Sequence, residues 1–236
     1  NSTLNIKNDR GTPAQVELQV ECGEGMRPGP DYAAGRPLEL FESAPAGDAK
    51  PLDTNQYDPA THGSRATSQG VTQELTLVTD DVKEGKTALR FSATSTIAEK
   101  AGWATFGKAF PTPLDLSNYG VIALWVKGDG KGEALKVQLW DTAGNPQDQY
   151  IPINFKGWRF IELPRPTGLA IDHSKINRLN FYYNGMPGNT TSLTILDGVK
   201  VLPKGTVMQR PTLIVNGKPL TFPVTMAIGD RIVYRG

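Results

Sequence analysis

The fold is decided by the stretch Val82–Pro164. It reads V-K-E-G-K-T-A-L-R-F-S-A-T (82–94), G-W-A-T-F-G-K-A-F (102–110), L-D-L-S-N-Y-G-V-I-A-L-W-V-K-G-D-G-K-G (114–132), A-L-K-V-Q-L-W-D (134–141), Y-I-P-I (150–153) and G-W-R-F-I-E-L-P (157–164). Short alternating runs bounded by Gly, Pro, Asp and Asn point to an all-β sandwich. In V-I-A-L-W-V-K, Ile122, Leu124 and Val126 share one face, while Ala123, Trp125 and Lys127 share the other, because strand side chains alternate. In L-K-V-Q-L-W, Leu135, Val137 and Leu139 oppose Lys136, Gln138 and Trp140. In R-L-N-F-Y-Y-N, Leu179, Phe181 and Tyr183 oppose Arg178, Asn180, Tyr182 and Asn184. With the aliphatic faces as core, the opposite faces present Trp125, Lys127, Gln138, Trp140, Arg178, Asn180 and Tyr182 as one rigid, amphipathic candidate ligand-binding set.

Outward from this stretch the chain reads as three zones. Residues 1–37 hold an expected hairpin, with L-N-I-K and V-E-L-Q-V around the turn N-D-R-G-T-P, followed by a Gly- and Pro-rich loop from Cys22 to Pro37. Residues 38–203 form the main domain, interrupted by an aperiodic polar excursion from Ala44 to Gly70. Residues 204–236 contain Asn216-Gly217 between two apolar runs, a strong hairpin signal. Neither flank can bury a core alone, so the two are expected to pack on each other or on another domain of the same polypeptide. Helix is nearly absent, apart from a single turn expected at Asp172–Lys175 and capped by Asp172 or Ser174.

Composition narrows the function. The 236 residues carry 25 Lys and Arg against 24 Asp and Glu, a formal net charge of +1, without the basic clustering that steers nucleic acid. No apolar run approaches the roughly 20 residues of a membrane span. The single cysteine, Cys22, permits neither an internal disulfide nor a cysteine zinc cluster. Nucleotide, serine-nucleophile and zinc-protease motifs are absent. Asp141, Asp148 and Glu162 are the carboxylates a glycosidase pair would draw on, but they form no compact acidic motif. His62 and His173 are expected to be solvated loop residues. Trp158 reads as a packing residue, and Trp103 sits at a strand start.

The order Phe41-Glu42-Ser43, Gly85-Lys86-Thr87-Ala88-Leu89-Arg90-Phe91, Pro113–Tyr119, Trp125–Gly130, Gly157-Trp158 and Leu196-Asp197-Gly198-Val199 resembles the galactose-binding-like β-jelly-roll carbohydrate-binding modules of bacterial polysaccharide-degrading enzymes. The resemblance spans about Leu38 to Pro203 and rests on the order of individually diffuse motifs. It implies a jelly-roll sandwich with small β-hairpin extensions at both termini. It also implies non-catalytic binding of a polysaccharide or oligosaccharide, and service to a larger secreted or cell-surface enzyme. The alternatives of another class are a jelly-roll lyase and a structural spacer. The resemblance further implies a structural calcium ion held by Glu42, the turn from Glu84 to Lys86, and Asp197, a donor set of carboxylates and carbonyls that calcium accepts. Ser43 stands where family members often carry a second acidic residue. The plainer reading is that Asp197 serves the Gly198 turn and Glu42 is a solvated strand end.

Overall fold

The computed structural model describes residues 15–18, 30–42, 65–206, 213–215, 218–220 and 232–235. Its elements in chain order are β1 (Gln15–Leu18), α1 (Pro30–Ala33), β2 (Arg36–Glu39), β3 (Ala66–Thr67), β4 (Val71–Val78), β5 (Ala88–Ser95), β6 (Gly102–Leu114), β7 (Tyr119–Asp129) and β8 (Ala134–Asp141). They continue with β9 (Pro146–Pro152), β10 (Lys156–Pro164), a 3-10 turn (His173–Lys175), β11 (Ile176–Met186), β12 (Thr190–Pro203), β13 (Leu213–Val215), β14 (Lys218–Leu220) and β15 (Ile232–Arg235). The chain divides into two compact units, 1–26 with 209–236, and 27–208.

In the smaller unit, β1 pairs antiparallel with β15, and β13 pairs with β14 across Asn216-Gly217. The first strand of the expected N-terminal hairpin, L-N-I-K, lies outside the described residues. So do Cys22, His62 and most of the excursion from Ala44 to Gly70, whose end supplies β3.

The larger unit is a sandwich of two antiparallel sheets. One runs β10-β7-β12-β5-β4, with β2 also on β12; the other runs β3-β6-β11-β8-β9. Counting β5 as the first strand and β12 as the eighth, the shared paths become 6-3-8-1 and 2-7-4-5, the double Greek key of a jelly roll. Consecutive strands from β5 to β8 therefore alternate between sheets. Between the sheets lie the aliphatic faces read from the sequence: Ile122, Leu124, Val126, Leu135, Val137, Leu139, Leu179, Phe181 and Tyr183 are all buried in one cluster. An aromatic spine runs through it. Tyr183 stacks on Phe91 at 4.0 Å, Phe91 meets Phe106 edge-on at 4.7 Å, and Phe106 stacks on its cross-strand partner Phe181 at 5.2 Å. Such pairs add about 0.5–1.5 kcal/mol beyond area burial.

One ion pair spans the interior. Lys108 of β6 is in register with core-facing Leu179, so its side chain enters the core, where Nζ meets Glu39 Oε2 of β2 at 2.6 Å. The other Glu39 oxygen accepts from the Phe41 amide at 2.7 Å and holds that residue at a φ of 54°. Past Phe110 the ladder to β11 shifts register, since Pro111 and Pro113 have no amide hydrogen to donate.

Two sequence expectations change. The stretch read as loop before Pro37 contains α1, fixed by tertiary contact rather than length: Tyr32 packs edge-on against Phe160 at 4.8 Å and donates its hydroxyl to the Gly198 carbonyl at 2.6 Å. The turn at Asp172 is present, with Asp172 Oδ1 accepting from the Ser174 amide. His173, however, is buried rather than solvated. Arginine can only donate, so the 2.8 Å contact to Arg165 makes His173 Nδ1 an acceptor, and Nε2–H donates to Gln147 Oε1 at 2.7 Å. Burial and the Arg165 charge lower its pKa, consistent with the neutral ring this network requires.

Candidate functional site

The outer face of the five-stranded sheet carries most of the candidate residues. Its registers define three rows across the strands: Thr105, Tyr182, Lys136 and Tyr150; Gly107, Asn180, Gln138 and Asp148; Ala109, Arg178, Trp140 and Pro146. Gln138, Trp140, Arg178, Asn180 and Tyr182 thus form one contiguous patch. A chain of hydrogen bonds fixes it. Trp140 Nε1 donates to Gln138 Oε1 at 2.6 Å, and Gln138 Nε2 donates to Asp148 Oδ1 at 2.6 Å. Asp148 Oδ2 receives Lys136 Nζ at 3.2 Å and the Tyr150 hydroxyl at 3.4 Å. Lys136 Nζ also lies 4.0 Å from the centre of the Tyr182 ring. Burial and the Asp148 charge hold the Tyr150 phenol above its ordinary range.

Two oxygens of this patch are buried without a hydrogen-bond partner, Asn180 Oδ1 and Thr105 Oγ1. Gly107 makes room for the first, because a Cβ there would collide with Asn180 Oδ1 and the Leu179 carbonyl. Sequence reading missed Tyr150, 51% exposed, and the role of Asp148 as the acceptor on which the network converges. The parity of Q-D-Q-Y places both on one face, but the weak alternation of P-Q-D-Q-Y-I-P hid the strand.

Trp125 and Lys127 do not belong to this patch. They lie on the outer face of the other sheet, because β7 is one strand removed from β8 in sequence and joins the opposite layer. Trp125 is half-buried against Phe160 at 5.2 Å, with Lys83 Nζ 5.0 Å from its ring centre. Lys127 pairs with Asp81, whose other oxygen accepts from Trp158 Nε1 at 2.8 Å. Trp158 is a packing residue, beside Val78, Ala88 and Ile195. Trp103, 38% exposed, stands at the start of β6.

The three carboxylates considered for hydrolysis are spread out. Glu162 pairs in register with Ala123 on the six-stranded sheet, while Asp148 is on the opposite sheet. Asp141 is committed to structure. It accepts from the amides of Ala143, Asn145 and Asp172 and from Asn145 Nδ2, and these bonds outweigh burial to bring it down to about 2.

The loop expected to hold calcium is assembled where β5 ends along β12 and β2 takes its place. Asp197 lies where the β12–β7 register shifts, with Oδ2 accepting from the Lys83 and Glu84 amides at 2.7 and 2.8 Å. Glu42 Oε1 accepts from the Lys86 amide at 2.7 Å, and the Thr87 hydroxyl donates to the Phe41 carbonyl at 2.6 Å. Gly85 has a φ of 64°, and a Cβ there would collide with the Glu42 carboxylate, so glycine alone lets loop and carboxylate approach. The Glu84 carboxylate pairs with Lys200 at 2.9 Å. Asp197 Oδ1 is buried without a partner, and burial together with the Glu84 charge pushes the carboxyl up to about 6. Among the described residues no three His, Cys, Asp or Glu side chains converge here.

No family model matches the sequence, and no curated protein matches it. Among solved structures, the chain is similar to the family 11 carbohydrate-binding module of the cellulosomal cellulase Lic26A-Cel5E of Clostridium thermocellum, at 17% identity over 65% of this chain and 94% of that one, with a TM-score of 0.46. It is similar to a family 30 carbohydrate-binding module, at 17% identity over 61% and 94% of the two chains, with a TM-score of 0.45. It is also similar to TmCBM61, solved with β-1,4-galactotriose, at 14% identity over 60% and 88%, with a TM-score of 0.35. At these identities the likeness is one of fold.

Proposed function

We propose that residues 27–208 form a non-catalytic carbohydrate-binding module, and that its ligand lies on the outer face of the five-stranded sheet. The observation that carries this is the patch itself: Tyr182, Tyr150 and Trp140 provide rings for sugar C–H faces. Around them, Gln138, Asn180 and Lys136 provide hydroxyl partners already oriented by one network, and Arg178 lies in register beside Trp140. Pre-oriented groups cost little to order on binding. Tyr182 and Tyr150 are two strands apart in one row, about 9–10 Å, a span of the order of a disaccharide. The unpartnered Asn180 Oδ1 is an acceptor for a sugar hydroxyl. Asp148 is saturated by its own donors, which favours a holding role over acid–base work. In this reading the module keeps a secreted or cell-surface glycan-degrading enzyme, of which it is one domain, on its polysaccharide.

Affinity electrophoresis and calorimetry against a polysaccharide panel test the reading. Tyr182→Ala and Trp140→Ala are each expected to weaken a bound glycan by about 1–3 kcal/mol with little change in melting temperature. Trp125→Ala, on the opposite surface, is expected to leave binding unchanged. A panel without a binder, or release of unsaturated ends from any member, rejects it in favour of a spacer or a lyase.

We also propose that Glu42 and Asp197, with carbonyls of the turn from Glu84 to Lys86, hold a structural calcium ion. Its contribution is to neutralise Asp197 and pin that turn to β12. A ligand bound only by the folded state raises stability, so chelation is expected to lower the melting temperature, and Asp197→Asn to abolish that difference. Identical melting curves after verified metal removal reject the site.

A further inference from the structure

A second group of buried oxygens lies at the turn joining β7 to β8. Glu133, which follows Gly130-Lys131-Gly132, is 0% exposed, yet neither of its carboxylate oxygens has a hydrogen-bond partner. The Ser192 hydroxyl of β12, also 0% exposed, is likewise without one. Asp129 and Ser192 lie within interaction range of the Glu133 carboxylate, and Tyr183 lies nearby in the core. Asp129 itself is anchored: Oδ2 accepts from the Leu193 amide at 2.7 Å, and Oδ1 from the Lys131 amide at 3.0 Å. The Lys131 ammonium contacts the Thr191 carbonyl and reaches only to 3.7 Å from Asp129 Oδ2, so it balances Asp129 and not Glu133. An isolated buried carboxylate is strongly disfavoured, and orphaned buried oxygens mark a missing proton, water or ion.

We propose that Glu133, Asp129 and Ser192 form a second hard-cation site, taking calcium in preference to softer metals. Glu133 supplies two oxygens to the ion, Asp129 a shared carboxylate, and Ser192 a neutral hydroxyl. All donors are oxygen, and water completes the six to eight contacts that calcium takes. The ion ties the end of β7 and the start of β8 to β12, where the Asp129 side chain replaces a rung of the backbone ladder. Burial and the Asp129 charge push the Glu133 carboxyl up to about 7, which places a proton in direct competition with the metal.

The test measures bound calcium per chain by mass spectrometry after dialysis, and affinity by calorimetry, for the full chain at pH 8. It is run in an Asp197→Asn background so that the loop site described above does not contribute. The expected result is one calcium ion per chain in that background, with affinity reduced by roughly tenfold or more by Glu133→Gln. Ser192→Ala removes only a neutral ligand and keeps the test open should Glu133→Gln not fold; it too is expected to weaken binding. Calcium binding absent in the Asp197→Asn background, or unchanged in either variant, overturns the proposal. A metal-free protein that grows more stable as pH falls from about 7 to 5, with the trend lost in Glu133→Gln and calcium without effect, assigns the cluster to a shared proton instead.

Discussion

Lys108→Ala is expected to destabilise the larger unit by about 3–5 kcal/mol, because it leaves Glu39 charged and unpaired in the core. Lys108 is 2% exposed and Glu39 3%, so water cannot replace the lost ammonium without opening the sandwich. The damage should extend beyond the pair. Glu39 also receives the Phe41 amide, and Phe41 in turn sets the position of Glu42 against the Lys86 amide. Denaturant unfolding of Lys108→Ala, Lys108→Met and Lys108→Met with Glu39→Gln checks this. The double variant removes the charge but keeps an acceptor for Phe41, and it should recover more than half of the loss. A Lys108→Ala midpoint within about 1 kcal/mol of the parent would mean that the pair contributes nothing measurable.

Phe91→Ala is expected to cost a comparable amount, about 3–5 kcal/mol, the range of aromatic truncations in closed cores. Its ring sits between Tyr183 and Phe106, and its carbonyl accepts from the Tyr183 hydroxyl at 2.8 Å. The ring therefore joins the two sheets while the backbone fixes the tyrosine. Phe91→Leu fills much of the space and should cost less than half as much. Equal losses for alanine and leucine in the same unfolding measurement would mean that the stacking geometry, not the volume, dominates.

Alternation along each strand was sufficient to say which side chains face the interior, because burial on one face imposes a period of two. It was insufficient to say which sheet a strand joins. In a jelly roll, the outward faces of β7 and β8 lie on opposite surfaces of the molecule, which is why Trp125 and Trp140 read as neighbours and are not. The same limit hid the Lys108–Glu39 pair. F-G-K-A-F places Lys108 in phase with Phe106 and Phe110, but its partner lies on β2, 69 residues earlier. His173 and Glu133 were opaque for a related reason: their surroundings are built by Gln147 and Arg165, and by Asp129 and Ser192, which the topology brings together from separate strands.

The pairing of β2 with the end of β12 has a consequence for how this unit is carried in a longer chain. Arg36 faces Val201 across an antiparallel ladder, so the polypeptide enters and leaves the sandwich through adjacent strands, about 5 Å apart. A fold with neighbouring ends behaves as a cassette: it can be excised, transplanted into a surface loop of another protein, or circularly permuted by a short bridge, without stretching whatever flanks it. Grafting residues 27–208, which keep Tyr32 against Phe160, into a host loop should yield a folded insert and an undistorted host.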